Sequence, residues 1–130
     1  MKESDEVLRQ MWQHEDTIAN HRLSWFTTVQ GLLFTALALV ARDKVHSLLH
    51  VLVGIGIGVC CLTFVSLLLG VRAKMTLLGW WEKEKRDYSG PPIVGYYVRP
   101  GSWLAYLAPT NLLPVLFLVA WIIIALLFAR

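Results

Sequence analysis

The stretch HEDTIANHRLSWFTTVQGLLFTALAL, residues 14–39, changes along its length from the composition of a soluble helix to one that suits the interior of a membrane. It begins with charged and polar residues, whereas residues 25–41 contain no Asp, Glu, Lys or Arg. No Gly or Pro interrupts residues 5–30, and the apolar residues before the span recur at helical spacing. We therefore expect one continuous helix over residues 5–41, in which an amphipathic cytoplasmic segment leads into a transmembrane span.

Two further runs, residues 47–71 and 112–129, are also apolar and uncharged. A helix needs about 20 mostly apolar residues to cross the hydrocarbon layer, with roughly 17 to 25 observed. Hydrophobic residues make up 56% of the 130 residues, which is high for a soluble chain of this length. We therefore predict an all-α integral membrane protein with three transmembrane helices.

The layout predicted for this chain is a single membrane domain, residues 1–130. The short loop between the first two spans makes them an antiparallel hairpin. Three prolines and three glycines within residues 89–101 exclude a regular helix there. The expected segments are the first helix over residues 5–41, the second span over 47–71 with a helical extension to about residue 88, an interfacial loop over 89–110, and the third span over 111–130.

The stretch PTNLLP, residues 109–114, restarts the helix before the third span. Thr110 or Asn111 is a suitable N-cap, because a short polar side chain can accept from the free backbone donors of the first turn. Pro114 is then expected in that first turn, where a missing N–H breaks no hydrogen bond.

The distribution of charge predicts an orientation. If the N-terminus and the loop after the second span are cytoplasmic, nine of the twelve Lys and Arg residues lie on the cytoplasmic side, as the positive-inside rule favours. We therefore expect a multi-pass protein of the bacterial inner membrane with a cytoplasmic N-terminus. Membrane lipids explain the basic residues next to the spans, and no nucleic-acid partner is expected because no RNA- or DNA-binding signature accompanies them.

A row of small and polar residues continues along the first helix as its surroundings change from water to lipid. We call it the polar row: Gln10, His14, Thr17, His21, Ser24, Thr28, Gly31, Thr35 and Ala38. In lipid, helices associate through small residues that allow close approach and through interhelical hydrogen bonds. The row therefore predicts helix packing. Three partners remain open: the second span of the same chain, another copy of the chain, or water in a pore.

Other residues are expected to pack helices or to anchor them. Gly54 and Gly58 form a GxxxG pattern, which is typical of a helix-packing face within or between molecules. Gln30 lies inside a span and should hydrogen-bond to a neighbouring helix, and Trp121 should pack against the hairpin. Cys60 and Cys61 are expected to be small buried hydrophobic residues. The expected interfacial anchors are Trp25, Trp80, Trp81 and Trp103.

No constellation of residues predicts catalysis, a metal or a cofactor. HEDTIANH lacks the second histidine of the HExxH zinc motif, because Ile18 stands in its place. No cysteine and histidine are placed together, and Glu15 and Asp16 are expected to be solvated. We therefore expect a protein that is not an enzyme.

Two stretches, HRLSWFTTVQGLLF (residues 21–34) and LAPTNLLPVLFLVAW (residues 107–121), together with GPPIVGY (residues 90–96), resemble patterns in small uncharacterised bacterial inner-membrane proteins. This resemblance implies no activity. More loosely, an amphipathic helix leading into a two-span hairpin is similar in architecture to SLATT-type membrane effectors of bacterial antiviral systems, which implies pore formation. The functional hypothesis is a homo-oligomeric membrane protein, acting as a pore or a defence effector. The alternative is a non-enzymatic accessory subunit bound to a larger protein partner.

Overall fold

The described part of the chain folds into helices that are long and apolar enough to cross a membrane. The computed structural model describes residues 2–43, 46–84 and 106–128. Within them the chain forms three helices: α1 (Lys2–Asp43), α2 (His46–Glu84) and α3 (Pro109–Phe128). Each is long and apolar enough to span a membrane, and these described ranges contain no strand. The prediction of an all-α chain with three such helices is confirmed.

The first two helices are much longer than a membrane is thick. α1 has 42 residues and α2 has 39, so at 1.5 Å per residue they are about 63 and 59 Å long. The hydrocarbon layer measures about 30 Å, so each helix extends well beyond it. The continuous first helix expected from the absence of Gly and Pro is present.

The two long helices run antiparallel and remain in contact outside the apolar region. Lys74 forms an ion pair with Asp16, and its Nζ lies 5.6 Å from the centre of the Trp12 ring. Asp16 is exposed, as expected, and it also pairs with Lys74 because the antiparallel register brings Lys74 to the same level. These contacts hold the amphipathic part of α1 against α2.

α3 runs in the same direction as α1 and contacts it through aromatic rings. Phe26 and Phe117 meet edge to face, with ring centroids 5.3 Å apart. About two turns further along α1 and one turn further along α3, Phe34 stacks on Trp121 with ring centroids 4.7 Å apart. The small core of the described residues is buried between the helices and consists of Phe26, Leu37, Leu49, Val53, Cys60 and Trp121.

Most of the apolar side chains point away from this core. Only 17 to 22% of the most apolar window of each helix is buried inside the chain. Large side chains such as Leu62 and Leu116 are 75% and 68% exposed. A surface of this kind is stable in hydrocarbon and unstable in water, so the chain is compatible with a multi-pass membrane protein.

The start of α3 differs from the prediction. The Ala108 carbonyl accepts from the backbone N–H groups of Asn111 and Leu112, at 2.8 and 3.3 Å, so the helix begins at Pro109. Neither Thr110 nor Asn111 is therefore the N-cap. Pro109 takes the first helical position because its fixed φ suits the helix and its missing N–H would be unpaired there anyway. Pro114 consequently lies beyond the first turn, where the Thr110 carbonyl loses its usual helical donor.

Several predictions fall on the remaining parts of the chain. The helical extension from residue 85 to about residue 88, the interfacial loop up to residue 105, and the anchor Trp103 lie outside the described residues.

Candidate functional site

Gln30 lies fully buried where the three helices meet. Its Nε2 donates to Cys60 Sγ of α2 at 3.3 Å, and its Oε1 accepts a hydrogen bond of 2.7 Å from Trp121 Nε1 of α3. The expectation that Gln30 bonds to a neighbouring helix is confirmed, and the side chain bonds to two of them. An amide without partners would be costly in the hydrocarbon, so these bonds favour one arrangement of the three helices.

Trp121 fits this centre because a glycine faces it. The ring is completely buried between Phe34, on which it stacks, and Gly56, where an added Cβ would overlap the indole. The expected packing of Trp121 on the hairpin is therefore confirmed. Cys60 is buried beside this contact, whereas Cys61 is exposed, so the prediction of two buried cysteines was wrong for Cys61.

Gln30, Cys60 and Trp121 pack the three helices together, and all three side chains are buried. The side-chain donors and acceptor of Gln30, Cys60 and Trp121 are directed at one another. Among the described residues, no three His, Cys, Asp or Glu side chains come together. The site can therefore fix the orientation of the helices.

The polar row of α1 lies on the outside of the chain. All nine of its residues are exposed, and no atom lies within 4 Å of a Cβ built on Gly31. Of the three partners considered for this row, the second span of the same chain is therefore wrong. Contact with another copy and a pore-facing line remain predictions.

The physical reason is the position of the row around the helix. The side of α1 that packs inside the chain is formed by Phe26, Gln30, Leu33 and Leu37. Each of these follows a member of the row by two residues, which is about 200° around the helix axis. When the bulky side faces α2 and α3, the polar row must face outward.

The threonine hydroxyl groups of the row are hydrogen-bonded within α1. Thr28 Oγ1 donates to the Ser24 carbonyl at 2.9 Å, and Thr35 Oγ1 donates to the Gly31 carbonyl at 2.8 Å. This is the common pattern for Thr in helices, and it lets the residue face lipid without an unpaired donor. What the row offers a partner is therefore low bulk together with weakly polar oxygen atoms.

Gly54 and Gly58 also lie away from the other described residues. A Cβ built at either position would meet no atom within 4 Å. Their predicted packing face does not operate within the chain, and a contact between molecules remains a prediction. The glycine that α3 approaches is Gly56, which makes room for the Trp121 indole. The GxxxG spacing of Gly54 and Gly58 does not predict this contact.

The tryptophans expected as anchors lie at the sides of the bundle. Trp25 is 70% exposed, Trp80 is 49% exposed, and Trp81 is half-buried. Trp25 stands one turn inside the level of Arg22, and Trp80 lies beyond Lys74, outside the most apolar part of α2. Such positions suit an aromatic side chain at a membrane surface.

Comparison with protein-family models, curated proteins and solved structures finds no match. The resemblance to small bacterial membrane proteins and to SLATT-type effectors thus remains an expectation.

Proposed function

We propose that this chain is a membrane protein that self-associates through the polar row of α1. The observation that supports the proposal is that all nine residues of the row are exposed and that the position of Gly31 is open. The same helix buries its bulky side within the chain. A second copy can therefore pack on the row without disturbing the contacts among the three helices.

The spacing of the row suits a long helix-helix interface. Its members alternate three and four residues apart, which is the repeat of left-handed helix pairs that cross at roughly 20°. From Gln10 to Ala38 the row extends about 42 Å along the helix. Small residues such as Ser24, Gly31 and Ala38 permit the close backbone approach that drives association in lipid.

The part of α1 outside the membrane supports the same interface. Contacts of Trp12 and Asp16 with Lys74 hold this segment in line with the span. His14 and His21 are exposed on the row beside them. A helix that is already straight and fixed loses less entropy when it binds a partner.

In this proposal the protein lies in the bacterial inner membrane with its N-terminus in the cytoplasm, as the distribution of Lys and Arg favours. The assembled copies act on the membrane itself, as a pore or as a membrane effector in bacterial defence.

The test is the detergent-corrected mass of the purified full chain, measured by light scattering. We expect a single species larger than a monomer. Gly31→Leu should lower the mass, because a branched side chain there blocks close approach. Gly79→Leu is the matched control, since nothing lies within 4 Å of its Cβ position and it is outside the row.

A wild-type chain that is monomeric and well folded at working concentration would overturn the proposal. A chain that is degraded or aggregates when expressed alone would favour the accessory-subunit alternative, in which the same exposed row binds a larger membrane protein. Equal loss of mass in Gly31→Leu and Gly79→Leu would show that the row is not the interface.

A further inference from the structure

A groove of about 600 Å³ lies between α1 and α2, and its lining on α1 extends from Ile18 to Val29. This volume falls within the roughly 300 to 1,000 Å³ usual for ligand sites. Towards one end of the groove His21 and Arg22 lie next to Ile18, and towards the other end the walls are apolar side chains that include Val29 and Leu62. The groove is therefore basic at one end and apolar at the other.

The order of these groups matches their depth in a membrane. Arg22 is the last charged residue of α1 before its apolar span, and Val29 lies two turns further in. Trp25 stands between them, 70% exposed, at a depth that suits an interfacial tryptophan. The basic end consequently lies at headgroup level, and the apolar end lies among the acyl chains.

Arg22 brings an unbalanced positive charge to this end. Its Nη1 donates to the Ser66 carbonyl at 3.3 Å, which fixes the side chain across the gap between the two helices. Among the residues that the structure describes, Arg22 has no carboxylate partner. A guanidinium has five N–H donors, so most of its donors remain available to a ligand.

We propose that this groove binds one anionic phospholipid from the leaflet at the N-terminal end of the α1 span. The lipid phosphate accepts hydrogen bonds from Arg22 beside His21, and one acyl chain lies along Val29 and Leu62. Guanidinium groups bind phosphate oxygens with two parallel hydrogen bonds. Basic pockets between membrane helices recognise lipid headgroups in this way.

The proposal does not depend on self-association, because α1 and α2 of a single chain form the whole described lining of the groove. A phospholipid fits better than a second copy because the groove pairs a cationic end with an apolar channel at matching depths. A helix from another copy would have to bring a carboxylate to Arg22 at the membrane surface.

The test is a titration of the delipidated full chain in detergent with dioleoyl phosphatidylglycerol, followed by native mass spectrometry that resolves bound lipid per chain. We expect one lipid to bind more tightly than the others. Arg22→Gln should weaken this lipid roughly tenfold or more, as expected when a hydrogen-bonded charge is lost. Arg42→Gln, the same change beyond the far end of the α1 span, should leave the affinity unchanged.

Two further ligands distinguish the source of the phosphate. Dioleoyl phosphatidylcholine should bind more weakly, since its headgroup has no net charge. Inorganic phosphate should not displace the lipid. Displacement by inorganic phosphate would identify an anion site and overturn the lipid assignment.

A second variant tests the apolar end while keeping the charge. Val29→Trp fills the channel, so it should weaken phosphatidylglycerol binding even though Arg22 is intact. This variant decides the question if Arg22→Gln does not fold. Unchanged lipid binding in either folded variant would overturn the proposal. If Arg22→Gln also lowered the oligomer mass while lipid binding stayed the same, the groove would be assigned to contact with a second copy of the chain.

Discussion

Trp121 Nε1 donates a hydrogen bond of 2.7 Å to Gln30 Oε1, although the two residues are 91 positions apart in the chain. The bond joins the third helix to the first inside the apolar core. The Gln30 amide continues to Cys60 Sγ on the second helix. One glutamine thus connects all three helices, and its replacement is the most direct probe of the fold.

Gln30→Leu should destabilise the protein by about 1–2 kcal/mol, because the Trp121 N–H would then be buried without an acceptor. Unfolding by sodium dodecyl sulfate, followed by circular dichroism, measures the change. Gln13→Leu is the control, since Gln13 is exposed. In the double variant with Trp121→Phe, the loss should be smaller than the sum of the single losses; an additive result would show that the bond contributes nothing.

Gly56→Ala should destabilise the fold by about 1–3 kcal/mol, because the new methyl group overlaps the buried indole of Trp121 and forces repacking. Gly54→Ala should leave the stability unchanged or raise it by up to about 1 kcal/mol, since its Cβ meets nothing and alanine favours a helix. The thermal midpoint in detergent compares the two. Equal midpoints would contradict the observed contact.

Thr28→Val should leave both folding and oligomer mass nearly unchanged, whereas Thr28→Phe should reduce the mass. The hydroxyl of Thr28 already donates within its own helix, so association through the polar row depends on low bulk more than on this donor. Light scattering of the two variants separates the effects. A loss of mass in Thr28→Val would show that the hydroxyl bonds across the interface.

Lys74→Gln should lower the free energy of unfolding by less than about 1 kcal/mol, because its partner Asp16 is half-exposed and exposed ion pairs are weak. A double-mutant cycle with Asp16→Asn should give a coupling that decreases as salt is added. Lys83→Gln, at an exposed position of the same helix, should show no coupling to Asp16. Coupling that is insensitive to salt would contradict this account of the pair.

The sequence by itself determined the fold class and the need for a buried partner at Gln30. Lipid offers no hydrogen bonds to the backbone, so three uncharged runs of sufficient length had to be helices. The same physics required an internal partner for the Gln30 amide. These conclusions follow from composition and length and do not depend on how the helices are rotated.

Only the tertiary structure decided which side of each helix faces its own chain. On α1, the polar row and the bulky side that contains Phe26 and Leu37 have the same spacing, so either could have packed inside. On α2, neighbouring glycines gave no indication that Gly56 would receive the indole and that Gly54 would not. Trp121 sets the rotation of the helices, because its ring packs against Gly56 of α2 and its N–H donates to Gln30 of α1. These two residues are far from Trp121 in the sequence.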